Sequence, residues 1–154
     1  MSATGLDVFD KTLQTTNIWL NEISEAIGPD KQVAWKVLST VLHKLRDRLP
    51  IEVSAHLGTQ LPLLIRGVYY DQFEPGKQHK LCHTAEEFSA EVAEWLTDMR
   101  PVDPHAAIAA VFGVLTRHIS EGQIAKVKHV LPKGIRAAWE SIDAPKLAMV
   151  EPIG

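Results

Sequence analysis

Two stretches of this chain carry one pattern: Leu61-Pro62-Leu63-Leu64-Ile65-Arg66-Gly67-Val68-Tyr69 and Leu131-Pro132-Lys133-Gly134-Ile135-Arg136-Ala137-Ala138-Trp139. In each, Leu-Pro is followed by Ile-Arg and then by a large aromatic residue at the same spacing. An internal repeat constrains architecture before any propensity argument, because what one copy folds into the other should fold into as well. The offset of 70 residues extends upstream, where Leu38, Val41, Leu42, Leu45 and Leu49 align with Ile108, Val111, Phe112, Leu115 and Ile119. All ten positions are apolar and have the spacing of one helical stripe. Ala55 and Leu57 align with Ala125 and Val127. Further upstream the register shifts by six residues, since Trp19-Leu20 aligns with Trp95-Leu96. The first copy therefore has a longer helix end or loop between Ile23 and Gln32.

Period 3.6 dominates and no stretch alternates, so the expected class is all-α. Leu6, Phe9, Leu13, Leu20, Ile23 and Ile27 form the stripe of a long first helix. Gly28-Pro29-Asp30 ends it, with glycine at the C-terminus and proline in the first turn of the next helix. The second helix carries the Leu38–Leu49 stripe and stops near Pro50. A short third covers Glu52 to Leu57, closed by Gly58, and a fourth runs from about Gln60 to Asp71. Residues 74–83 have turn composition and form a linker. Thr84-Ala85-Glu86-Glu87 reads as a capping box opening a fifth helix with Phe88, Val92, Trp95, Leu96 and Met99 inward. Asp103-Pro104 opens the sixth, Ser120-Glu121-Gly122-Gln123 the seventh and Leu131-Pro132 the eighth, which ends near Ile142. The expectation is one domain of two tandem helical repeats, about four helices each, packed pseudo-symmetrically. Repeat one spans 5–73, the linker 74–83, repeat two 84–142, and an irregular tail 143–154.

Composition narrows the setting. With 45% hydrophobic residues in 154, the chain can build a core without staples. Its single cysteine, Cys82, excludes an internal disulfide framework and fits a reducing compartment. No apolar run approaches the ~20 residues that span a bilayer. The first residues, Met1 to Gly5, lack the basic and apolar regions of a secretory signal. A cytoplasmic location is expected. The net charge of −3 mixes both signs. Lys126, Lys128, Lys133 and Arg136 are locally basic, but Glu121, Glu140 and Asp143 dilute them, which argues against nucleic acid as a partner.

The stretch His56-Leu57-Gly58-Thr59-Gln60-Leu61-Pro62-Leu63-Leu64-Ile65-Arg66-Gly67-Val68-Tyr69-Tyr70-Asp71 resembles the bacterial family catalogued as domain of unknown function 2267. Leu45-Arg46-Asp47-Arg48-Leu49-Pro50 and Glu86-Glu87-Phe88 fit the same resemblance, which covers almost the whole chain. Phe73 departs from it, standing where tryptophan is commoner, and keeps an aromatic ring there. The resemblance implies a small, soluble, all-helical bacterial protein and carries no catalytic residues with it.

Arg66 and Arg136 hold equivalent positions on helices that should be packed. One reading makes them guanidinium forks for an anionic ligand, with Tyr69 and Tyr70 beside the first and Trp139 echoing them in the second. The other makes each an internal ion pair, with Glu22 and Asp98 as the equivalent carboxylates. The candidate ligand-binding residues are thus Arg66, Tyr69, Tyr70, Arg136 and Trp139. His79, Cys82 and His83 are the nearest approach to a metal cluster, yet a closed zinc site needs a fourth ligand. His105, His118 and His129 could join only through the fold, so no metal is expected. No phosphate loop or H-E-x-x-H motif occurs, and adjacent histidines do not by themselves activate Cys82. Glu86-Glu87 and Asp7/Asp10 occupy first turns, where the helix dipole favours negative charge. Trp19, Trp35, Trp95 and Trp139 read as packing residues. No catalytic residue or cofactor is expected. The expectation is a non-catalytic cytosolic module binding a protein or a small molecule, at the groove between copies. No membrane partner is expected, and a homo-oligomer is compatible with this reading. The alternative is a small-molecule sensor or enzyme with an anion site at Arg66, Tyr69 and Tyr70.

Overall fold

The computed structural model describes residues 3–77 and 84–150, with side chains as far as Asp143. Among the described residues there are eight α-helices and no strand: α1 Asp7–Ile27, α2 Lys31–Arg48, α3 Ile51–Gln60, α4 Leu63–Tyr70, α5 Ala85–Glu94, α6 Pro104–His118, α7 Glu121–Val130 and α8 Lys133–Val150. A short 3-10 turn, Pro75–Lys77, follows α4.

Local chemistry accounts for the helix ends. Asp103 and Ser120 cap α6 and α7 by accepting from the N–H groups of His105 and Gln123. The Thr84 hydroxyl accepts from Glu87 N–H at the start of α5. Each satisfies one of the orphan donors of a first turn. Gly28 closes α1 at φ 114, a conformation that favours glycine. The cap of α2 is Asp30, which accepts from Gln32 and Val33, so Pro29 stands before the cap and not in the first turn. The α3 helix runs through Gly58 instead of stopping there. A Cβ at Gly58 would lie 2.3 Å from the Tyr70 hydroxyl, so this glycine admits a ring from α4.

α1 packs on α2, α4 and α6, while α5 packs on α6, α8 and α2. At the centre α2 meets α6, and α3 meets α7. The core is one continuous cluster in which Leu38, Val41, Leu42, Leu45 and Leu49 are buried together with Ile108, Val111, Phe112, Leu115 and Ile119. Two ion pairs tie the crossings. Arg48 of α2, almost fully buried, pairs with Glu91 of α5. Glu22 of α1 receives Arg117 Nε and His118 Nε2 of α6, both at 2.6 Å, and the His118 ring stacks on Trp19.

Three expectations need correction. On α1 the buried residues are Thr16, Trp19, Leu20 and Ile23, whereas Leu6, Phe9 and Leu13 are exposed. The 21-residue helix outruns the layer that covers its C-terminal half. Trp95 is 53% exposed, although its counterpart Trp19 is buried. The α5 helix ends at Glu94, so Trp95 leaves the helix at its cap, while Trp19 lies mid-helix. Finally, α8 continues past Ile142 to Val150 where an irregular tail was expected. Pro145 removes one backbone donor, which bends or weakens a helix without having to end it.

Candidate functional site

Where α2 faces the end of α5, a polar cleft of about 350 Å³ opens. One face of α2 supplies most of it: Lys36, Ser39, Thr40, His43, Lys44, Arg46 and Asp47. These recur at helical spacing beside the buried stripe of the same helix. Asp71 and Gln72 close one end and Trp95 forms the opposite wall.

Much of this polarity holds the end of α4 in place. Arg46 is buried, and its Nη1 donates to the carbonyls of Tyr69 at 2.7 Å and Asp71 at 2.9 Å. Its Nε donates to Asp47 at 2.9 Å, and the guanidinium lies over the Phe73 ring. Phe73 reaches that position because Gln72 adopts φ 61, a left-handed conformation unusual for a residue with a side chain. His43 Nε2 donates to the Val68 carbonyl at 2.6 Å. Burial lowers its pKa, and the nearby Arg46 charge acts in the same direction, while the Val68 bond opposes them. The imidazole is therefore neutral at pH 7, with Nδ1 left as an acceptor.

The remaining groups serve the cleft. Lys44 Nζ lies 5.0 Å from the Trp95 ring centroid, a cation–π contact at the wall. Lys36 is half-buried and makes no ion pair with any described residue. Thr40 is only 6% exposed, lines the cleft, and its hydroxyl has no hydrogen-bond partner among the described residues.

The residues singled out from the repeat lie elsewhere. Arg66 Nε donates to the Gly58 carbonyl at 2.9 Å, and Nη2 to those of Thr59 at 3.1 Å and Leu61 at 2.9 Å. Arg136 makes the same set, Nε to Lys128 at 2.8 Å and Nη2 to His129 at 2.7 Å and Leu131 at 3.2 Å. Each arginine thus closes the C-terminus of the helix before its own, where unpaired carbonyls and the dipole favour a cation. Neither makes the expected carboxylate pair; Glu22 turns to α6 instead. Tyr69 is fully buried, its hydroxyl donating to the Ser54 carbonyl at 2.9 Å and lying 2.8 Å from Ser54 Oγ. Burial raises its pKa strongly, so the phenol stays protonated. Tyr70 reaches the Ala55 carbonyl. Trp139 stacks on Phe112 at 4.1 Å and donates from Nε1 to Thr116. His79, Cys82 and His83 lie outside the described residues. Among the described residues no three His, Cys, Asp or Glu side chains gather as metal ligands would. No described helix is long and apolar enough to cross a membrane.

Lys36, Thr40, His43, Arg46 and Trp95 were missed by sequence reasoning, though one signal pointed to them. At the 70-residue offset Lys36, Thr40, His43 and Arg46 face Ala106, Ala110, Gly113 and Thr116. Three of the four counterparts are apolar and the fourth, Thr116, is uncharged, so the polarity of this α2 face is not something the aligned positions share.

Fold and cleft together define an all-α protein with a polar, tryptophan-walled recess beside its core. The chain belongs to the family described as an uncharacterized conserved protein, DUF2267, which matches residues 16–138. That is the family suggested by the stretch from His56 to Asp71. No curated protein matches the chain significantly.

Proposed function

We propose that this chain is a cytoplasmic, non-catalytic binding module of a bacterial family. In this reading it is built from two tandem copies packed about a pseudo-two-fold axis, with a small-molecule site where the copies meet. The duplication is supported by α3 and α7, whose limits differ by 70 residues at both ends. The three carbonyl bonds of Arg66 and Arg136 recur at the same separations. The packing is reciprocal, α1 crossing to α6 as α5 crosses to α2. A single cysteine suits a reducing compartment.

The observation that carries the binding reading is the cleft itself. It joins α2 of one copy to Trp95 of the other, and it exposes the tryptophan whose counterpart is buried. Exposed aromatic walls with a few convergent polar groups are what small-ligand sites are made of. Anion binding at Arg66, Tyr69 and Tyr70 is the weaker reading, because an anion there would have to displace carbonyls from the guanidinium. Nucleic acid is not part of the proposal, since Lys128 and Arg136 of the local basic group are engaged with Asp143 and carbonyls.

A fragment screen followed by ¹H–¹⁵N NMR on the full chain tests it. Shifts clustering at the Trp95 indole and the amides of residues 36–47 are expected. Hits that bind only elsewhere, such as at the exposed Leu6, Phe9 and Leu13 surface, would move the site and sink this assignment.

A further inference from the structure

We infer that the cleft takes a small anion bearing a flat ring, a carboxylate or a phosphate, held by Lys36 and Thr40 with its ring against Trp95. This rests on the binding-module reading and adds the chemistry of the ligand. Two observations converge at one end of the cleft. Thr40 is more than nine-tenths buried and lines the cleft, and its hydroxyl has no hydrogen-bond partner among the described residues. The hydroxyl is not sealed from solvent, so at this recess it is a donor that a ligand acceptor can take over from water. Lys36 stands one helical turn away on the same face of α2, a half-buried ammonium without a carboxylate among the described residues. An ammonium beside a hydroxyl donor is an anion-binding pair.

The carboxylates of the cleft lie toward its other end. Asp47 is tied to Arg46, and the Asp71 backbone is held by the same guanidinium. Seven residues of helix separate Thr40 from Asp47, about 10 Å at 1.5 Å per residue. Between the two ends lie the indole of Trp95 and the Lys44 ammonium over its ring. A flat ring seated there would have its acidic group at Lys36 and Thr40. Hydrogen-bond donors at its far end would face Asp71 and the His43 Nδ1 acceptor.

The test titrates the full chain with benzoate, phenyl phosphate, inorganic phosphate and benzyl alcohol, following the Trp95 indole resonance and the Thr40 amide by NMR. The indole signal is assigned by its loss in Trp95→Phe. Benzoate or phenyl phosphate should bind saturably, and whichever binds more tightly identifies the acid. Lys36→Met and Thr40→Val should each weaken that binding about tenfold, the usual worth of a charge-assisted hydrogen bond. Thermal melts confirm that both variants fold. Benzyl alcohol binding as tightly as benzoate, or either variant leaving affinity unchanged, overturns the anion inference while the module reading stands. Inorganic phosphate binding as tightly as phenyl phosphate overturns the ring. If none of the four binds, the ligand chemistry is wrong, and the fragment map separately decides whether the cleft is a site.

Discussion

Replacing Arg66 by methionine isolates the role of the repeated motif. Methionine keeps an apolar stem of similar reach and removes the three N–H···O bonds to Gly58, Thr59 and Leu61. A hydrogen bond to a charged group contributes about 1.5–3 kcal/mol when buried. Arg66 is half-buried, and water can reach the Thr59 carbonyl once the guanidinium is gone. About 1 kcal/mol for each bond is therefore nearer, and the lost charge at the α3 C-terminus falls within the same total. The expected loss is about 2–3 kcal/mol. For a chain of this length each kcal/mol lowers Tm by about 2–4 °C, so Arg66→Met should melt about 5–10 °C below the parent. Arg136→Met removes the same bonds from α7 and should lose a similar amount. Arg66→Lys should recover little, because an ammonium cannot span three carbonyls as a planar fork does. Thermal unfolding followed by circular dichroism gives all three values. A shift within a degree of the parent for both methionine variants would refute the capping argument. So would a large loss in one copy and none in the other.

Gly58→Ala should destabilise by about 1–3 kcal/mol despite alanine's better helix propensity, because the new methyl meets the stiff Tyr70 ring. In a Tyr70→Ala background the same change should become stabilising, and a double-mutant cycle in urea detects the reversal of sign. Glu22 titrates below the ordinary carboxylate range: burial opposes ionisation, but the bonds from His118 and Arg117 prevail. Its stabilising effect should be fully present above the unfolded pKa and vanish as pH falls through the lower folded value. Glu22→Gln should therefore cost about 1 kcal/mol at pH 7 and progressively less as pH falls below the ordinary carboxylate range, read as converging urea midpoints. His43, whose pKa burial lowers, should show a protonated Nε2 and bare Nδ1 in ¹⁵N NMR at pH 7 and titrate below the ordinary histidine range. A His43 midpoint above that of an unperturbed histidine, or the opposite tautomer, would contradict the geometry around Val68. Trp139→Ala empties a fully buried position stacked on Phe112 and should cost about 3–5 kcal/mol.

The helices were legible where local chemistry decides them. Caps at Asp103, Ser120 and Thr84 fall where short polar side chains precede apolar periodicity, and the paired stripes of α2 and α6 form the centre of the core. What periodicity cannot convey is how far a covering layer extends. Leu6, Phe9 and Leu13 have the same spacing as Leu20 and Ile23, yet only the latter are buried. Arg66 and Arg136 make matching sets of bonds, but their partners are carbonyls and not the expected carboxylates. A sequence displays carboxylates as candidates for an arginine; it does not display the unpaired ends of the preceding helix, which offer three acceptors within reach.

The same reasoning explains why the cleft escaped notice. Likeness between copies selects what both copies need, which is packing, capping and chain reversal. A site used once has no reason to be duplicated, and its residues survive comparison only as mismatches. Thr40 against Ala110 and His43 against Gly113 are such mismatches, within a stripe where every apolar neighbour is matched. Trp95 is the subtler case, because its identity is repeated in Trp19 while its environment is not. Trp19 is held mid-helix against His118, whereas Trp95 is released at the end of a ten-residue helix to stand beside Lys44. The same residue type is thus core within α1 and cleft wall at the end of the shorter α5. If the chain is a duplication, as proposed, differences in polarity and helix length are where function would depart from scaffold, and both kinds of difference occur at this one recess.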